Sequence, residues 1–239
     1  GSENQNEYIQ SVPGYVVDYT TFDVLALGAV HSYAALMEAL KGTPYYKVLG
    51  PLHLDDERAE KAPLPLIEHA LYEYYYQLCN HLIDRQYRGG TAKELHAVFA
   101  TQAQMFNLQA IFRLKRFFGA SPEAIERILL RYKGRLPRRV VDELVAAPDV
   151  DRVLEILRRT KYSAYFDADS FAYIEYSTGR IVYHVAKKYL TFSQNPATAF
   201  VAFLMIFEIE IENLMAIIEG VRYGLDAAQI RPLLIHGGA

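Results

Sequence analysis

An internal repeat constrains this chain more than any other feature. Asn107-Leu108-Gln109-Ala110-Ile111 recurs as Asn213-Leu214-Met215-Ala216-Ile217, an offset of 106 residues. Phe118-Gly119-Ala120-Ser121, followed by Ile125, recurs as Tyr223-Gly224-Leu225-Asp226, followed by Ile230, an offset of 105. Upstream in each copy, Glu38, Leu40, Thr43 and Tyr45 match Glu155, Leu157, Thr160 and Tyr162, an offset of 117. Each copy reads as a short helix, a Thr-x-Tyr turn, a Tyr-rich helix and a long Asn-Leu helix. A Gly stop and a Ser or Asp cap then open a further helix. Similar units of this kind bury their apolar faces partly against one another. The expected fold is therefore all-α, two similar multi-helix units forming a helical repeat body. The expected divisions are an N-terminal segment at 1–26, a first unit at 27–121, connecting helices at 122–148 and a second unit at 149–239.

Local signals fill in the elements. Leu27, Val30, Tyr33, Leu36, Met37 and Leu40 are helically spaced over 27–41, and Gly42-Thr43-Pro44 ends that run. A Tyr-rich helix is predicted at 65–87, stopped by Gly89-Gly90. Thr91 with Glu94 reads as a capping box opening a helix that runs to Phe118. Ser121-Pro122 starts another. Further helices are predicted at 138–146, 149–160, 167–191 (with Gly179 as its weak point) and 196–223. Phe207 to Glu212 alternates like a strand. Yet Leu204, Phe207, Ile211, Leu214, Met215 and Ile218 share one helical arc, so that stretch too is read as helix. Strand character is confined to short runs such as Gly14–Val17.

Composition then excludes function classes. The net charge of −3 over 239 residues argues against a protein built on phosphate neutralisation. Cys79 stands alone, which rules out an intrachain disulfide and a Cys-rich zinc site. The longest apolar run, Ala197 to Phe207, is too short to cross a bilayer. Gly1-Ser2 reads as a cloning scar, and no secretory signal stands at the N-terminus. Asp55-Asp56-Glu57 faintly resembles the Asp-rich magnesium site of prenyl-transferring enzymes, but Ala59 breaks the pattern and no second motif follows. The histidines lack the paired Glu-x-x-His of a di-iron bundle. No catalytic, cofactor-binding or metal-ligating residue is expected.

Surface chemistry supplies the remaining candidates. Arg131, Lys133, Arg135, Arg138 and Arg139 form a basic segment. It reads as a solvated loop, a dock for an acidic partner or lipid, or the nucleic-acid face of a helical scaffold. Glu208 and Glu212 lie four apart on one helix face, where like charges repel. Arg113 and Arg116 are candidates to offset them, and the alternative is a solvated face. Asn107 and Asn213 sit inside helices, where Asn is a poor former, so their amides are expected to bond a neighbouring turn. Glu219, Arg222 and Tyr223 mark the end of the last long helix. The aromatic content is 19 Tyr and 12 Phe without Trp. Much of it gathers after Thr43 and Thr160 and in two equivalent helices (Tyr72, Tyr74, Tyr75, Tyr76; Tyr173, Tyr176, Tyr183), as the seam of a repeat would.

The stretch Asn195-Pro196-Ala197-Thr198, leading into Phe207 through Leu214 and then Ile217-Ile218-Glu219-Gly220-Val221-Arg222-Tyr223-Gly224-Leu225, resembles the C-terminal helix of one family of V/A-type rotary ATPase subunits. That family is the C-type subunit of the archaeal-type enzymes, the equivalent of the d-type subunit in the vacuolar enzyme. Leu40 to Tyr46 and Asn107-Leu108 with Ile111 to Lys115 match its repeat units. Together the matches cover roughly residues 30–235. The resemblance implies a helical, non-enzymatic coupling part without cofactors. Its implied partners are the central-shaft subunits and the membrane rotor ring, with no nucleic acid. Its implied place is peripheral, on the cytoplasmic side of the membrane. The family has three such units around an open centre; two are legible here.

Overall fold

A computed structural model describes residues 20, 22–28, 30–52, 64–132, 134–166 and 174–236. The expectations at Gly14–Val17, Asp55–Glu60, Lys133 and Tyr173 lie outside the described residues. Among the described residues all regular elements are helical. They are α1 (Val24–Leu27), α2 (Tyr33–Ala39), α3 (Pro44–Leu49), α4 (Leu64–Gln86), α5 (Gly89–Phe118), α6 (Pro122–Glu126), α7 (Arg138–Ala146), α8 (Val150–Arg158), α9 (Ile174–Phe192), α10 (Pro196–Arg222) and α11 (Ala227–Ile230). Short 3₁₀ turns at Gly50–Leu52, Ser163–Tyr165 and Arg231–Leu233 complete them. The chain divides into two compact units, Gly1–Tyr75 and Tyr76–Ala239.

In the first unit, the helix expected at 27–41 is the shorter α2 (Tyr33–Ala39), and a separate short helix, α1 (Val24–Leu27), precedes it. The Asp23 carboxylate accepts from the Ala26 N–H (3.0 Å) and starts α1. The Ser32 hydroxyl accepts from the Ala35 N–H (3.0 Å) and caps α2. Two caps nine residues apart outweigh the apolar spacing that spans them. The Thr43 hydroxyl donates to the Leu40 carbonyl at 2.7 Å, and Pro44 opens α3. Tyr33 donates to the Leu49 carbonyl at 2.7 Å, tying α2 to the end of α3. Tyr45 packs edge-on against Phe22 and Tyr74.

The second unit is organised around α5, which is buried on both sides. Towards its start, Leu95, Val98, Phe99 and Ala103 pack with Tyr76, Ile83, Ala186, Ala202 and Met205. Further along, Met105, Leu108, Ile111 and Phe112 pack with Ile125, Leu144, Val153, Leu154, Leu157 and Tyr162. α9 lies against both α5 and α10. Gly179 does not break α9. It gives α9 a face that Ile235 approaches closely, since a Cβ there would stand 2.6 Å from Ile235 Cδ1.

The two long helices end alike. Gly119 (φ +52°) and Gly224 (φ +73°) hold the left-handed conformation that favours glycine. Ser121 then caps α6 by accepting from the Ala124 N–H. Asp226 caps α11 through a reciprocal capping box with Gln229. The Thr-x-Tyr turns also agree, because Thr160 donates to the Leu157 carbonyl at 2.7 Å just as Thr43 does to Leu40.

Candidate functional site

The repeat asparagines form two identical clamps. Asn107 donates its amide N–H to the Leu130 carbonyl (3.0 Å), and its Oδ1 accepts from the Leu130 N–H (2.8 Å). Asn213 does the same with Ile235, at 2.7 Å in both directions. Each amide thus satisfies both backbone groups of one residue in the irregular segment that follows the next short helix. An unpaired backbone group there costs about 1–3 kcal/mol, so a poor helix former stands inside each long helix.

A third clamp has no counterpart in the sequence motifs. Gln104 Oε1 accepts from the Arg135 N–H (3.1 Å), the Leu136 N–H (3.2 Å) and the Tyr162 hydroxyl (3.2 Å). It joins α5 to the basic segment and to the second Thr-x-Tyr turn. Glycine at 134 leaves room for it, since a Cβ there would meet Gln104 Nε2 at 2.7 Å. Its one signal in the sequence is a polar residue between the apolar positions of α5, and that pattern alone names no partner. Lys115 adds a fourth tie, donating to the Val145 carbonyl at 2.7 Å and to that of Ala147 at the end of α7. Burial lowers its pKa.

Thr91 and Glu94 do not form a capping box. α5 begins at Gly89, and both side chains reach forward 99–104 residues. Thr91 donates to Asn195 Oδ1 (2.8 Å), while Glu94 accepts from the Ser193 hydroxyl (2.6 Å) and the Asn195 amide (2.7 Å). Those hydrogen bonds hold the Glu94 carboxyl below the usual range. The Asn195-Pro196 start of α10 is therefore fixed on the start of α5.

The charged candidates are not gathered in one site. Arg113 pairs with Glu175 (2.9 Å), and Arg116 lies over the Phe112 and Phe117 rings. Neither meets Glu208 or Glu212, which have no ion-pair partner among the described residues. Glu212 has its pKa raised by desolvation and then by Glu208. In the basic segment, Arg138 pairs with Asp142 (2.7 Å) and Glu126 (3.7 Å), and Arg139 with Glu143 (2.9 Å). Arg135 remains exposed and helps to lower the pKa of Lys161, after desolvation. Arg131, Arg135 and Arg138 border an open groove of about 960 Å³ beside Gln104 and Asn107. Glu219, Arg222 and Tyr223 are exposed at the end of α10, with Tyr223 at 75%.

Among the described residues no three His, Cys, Asp or Glu side chains gather as a metal site. His96 instead bonds Asp84 (2.9 Å), and His184 bonds the Arg180 carbonyl (2.8 Å). Cys79 is half-buried against the apolar cluster. No described helix is long and apolar enough to cross a membrane.

Comparison with curated proteins gives no match. Comparison with protein families gives one over residues 3–233, nearly the whole chain, to the ATP synthase (C/AC39) subunit family. The match agrees with the resemblance carried by Asn195–Leu225 and by the repeat motifs that build the clamps and caps. The chain belongs to the ATP synthase (C/AC39) subunit family, a family of V/A-type rotary ATPase subunits.

Proposed function

We propose that this chain is the non-catalytic coupling subunit that links the central shaft of the catalytic head to the membrane rotor ring. Family membership supports a place in the complex. The observation that carries the mechanical reading is the duplicated clamp: Asn107 on Leu130 and Asn213 on Ile235 brace both long helices in the same way. A part that transmits torque must resist bending, and side-chain amides that lock backbone across elements supply that resistance. The two sequence copies, 27–121 and 149–239 joined by 122–148, are the proposed mechanical units.

Its partners would be the shaft subunits on one side and the ring subunit on the other. It would be held peripherally on the cytoplasmic side through protein contacts. The proposed contact surfaces are the groove bordered by Arg131 and Arg135 and the end of α10 with Glu219, Arg222 and Tyr223. Nucleic-acid binding through 131–139 is not favoured, because Arg138 and Arg139 are already paired with carboxylates. Co-purification of the full chain with the shaft and ring subunits of the same genome tests the reading. Stable capture of both supports it. A folded chain that retains neither overturns it.

A further inference from the structure

The groove beside Gln104 is lined by donors that the fold itself leaves unused. Its lining residues all lie between Gln104 and Val141, within the second unit. Gln104 is only 5% exposed. Its Oε1 takes three donors: the Arg135 N–H, the Leu136 N–H and the Tyr162 hydroxyl. A main-chain N–H can only donate, which fixes the oxygen end of the amide and so the nitrogen end. That Nε2 lies against Gly134 on the groove lining and has no acceptor among the described residues. A donor buried to this degree ordinarily has one.

α7 starts on the same groove, since Pro137, Arg138 and Val141 line it. Pro137 stands at the N-cap without a side-chain cap bond, and the first turn holds no acid. The N–H groups of Val140 and Val141 return to the Pro137 carbonyl. Those of Arg138 and Arg139 have no acceptor among the described residues. A helix start favours a capping oxygen and negative charge, yet this one carries two arginines. Their side chains are answered by Glu126, Asp142 and Glu143, but the main-chain donors are not. Arg135, also on the lining, is exposed and has no ion pair among the described residues. Lys161 adds a second positive charge beside it, donating to the Arg135 carbonyl at 3.1 Å.

We propose that this groove binds a phosphate monoester carried on a small organic molecule. The Arg135 guanidinium, the open N–H groups at the start of α7 and the Gln104 Nε2 are its donors. An uncapped helix start beside a guanidinium fork is suited to phosphate. Three terminal oxygens can meet three kinds of donor, where a carboxylate has only two. The groove measures about 960 Å³. That falls within the about 300–1,000 Å³ of small-molecule sites and leaves room for an organic body beyond the phosphate. Half-buried Leu129, Tyr132 and Val141 give that body apolar wall. The inference goes beyond the coupling role and does not depend on it. Binding is read on the chain alone, so the two fail separately.

Calorimetric titration of the full-length chain with AMP, inorganic phosphate and adenosine tests it. AMP should bind saturably at one site per chain, at least tenfold more tightly than inorganic phosphate, which should compete with it. Adenosine, which has no phosphate, should not bind. Gln104→Glu keeps an oxygen for the three clamp donors and replaces only the Nε2 donor, so it should weaken AMP at least tenfold. Arg135→Ala should do the same, and its exposed position covers the case in which Gln104→Glu fails to fold. Lys187→Ala, which removes an exposed charge on α9 off the lining, should leave AMP binding unchanged. Absence of saturable AMP binding overturns the proposal. So does adenosine binding as tightly as AMP, or an equal loss in Lys187→Ala. Capture of the chain by vesicles containing phosphatidylinositol 4-phosphate, without AMP binding, would assign the donors to a lipid headgroup and overturn the small-molecule site.

Discussion

At the scale of single residues, the chain turns a poor helix former into a brace. An Asn amide competes with helical backbone bonding, and here that capacity is spent on Leu130 and Ile235. Asn107→Ala and Asn213→Ala should each lower stability by about 1–3 kcal/mol, read from urea unfolding midpoints; wild-type midpoints for both would contradict the clamps. Glu212 has the opposite sense. Desolvation, then Glu208, raises its folded pKa. A raised acid favours the folded state while protonated. That contribution is complete below the unfolded carboxyl pKa and is lost as pH rises through the folded one. Glu212→Gln should therefore raise the unfolding midpoint at neutral pH and leave it nearly unchanged at about pH 3, where the carboxyl is protonated in both states. An equal shift at both pH values would show that the charge is not the cause.

At the scale of elements, close approaches set tolerance. Replacing Gly by Ala in a helix ordinarily adds about 1 kcal/mol of stability. In α9 the new methyl would press on Ile235 at 2.6 Å, so Gly179→Ala should destabilise instead, by about 1–3 kcal/mol. A raised melting temperature for that variant would show that the approach relaxes freely. The helices are legible in the sequence because periodicity and caps are local: Ser121-Pro122, the Gly119 and Gly224 stops and the helix-interior asparagines are all written within a few turns. The break between α1 and α2 is hidden, since two short-range caps cut an apolar pattern that continues across them. Thr91 and Glu94 mislead for the converse reason: a local capping pattern has partners about a hundred residues away. Likewise, α10 carries apolar residues on two faces, and periodicity alone does not say which is covered.

At the scale of the whole molecule, duplication and function meet. Caps at equivalent positions, matching Thr-x-Tyr bonds and matching clamps show that the repeat in the sequence is a repeat in bonding. The family match gives that architecture its setting in a rotary ATPase. The coupling role proposed above predicts that the chain matters to transport and not to the hydrolytic step. The most direct measurement is ATP-driven ion uptake, recorded together with ATP hydrolysis, in membrane vesicles holding the complex with this chain present or removed. Hydrolysis by the catalytic head should persist without the chain, while ion uptake is lost and returns when the chain is added back. Undiminished ion uptake in its absence would contradict the coupling role.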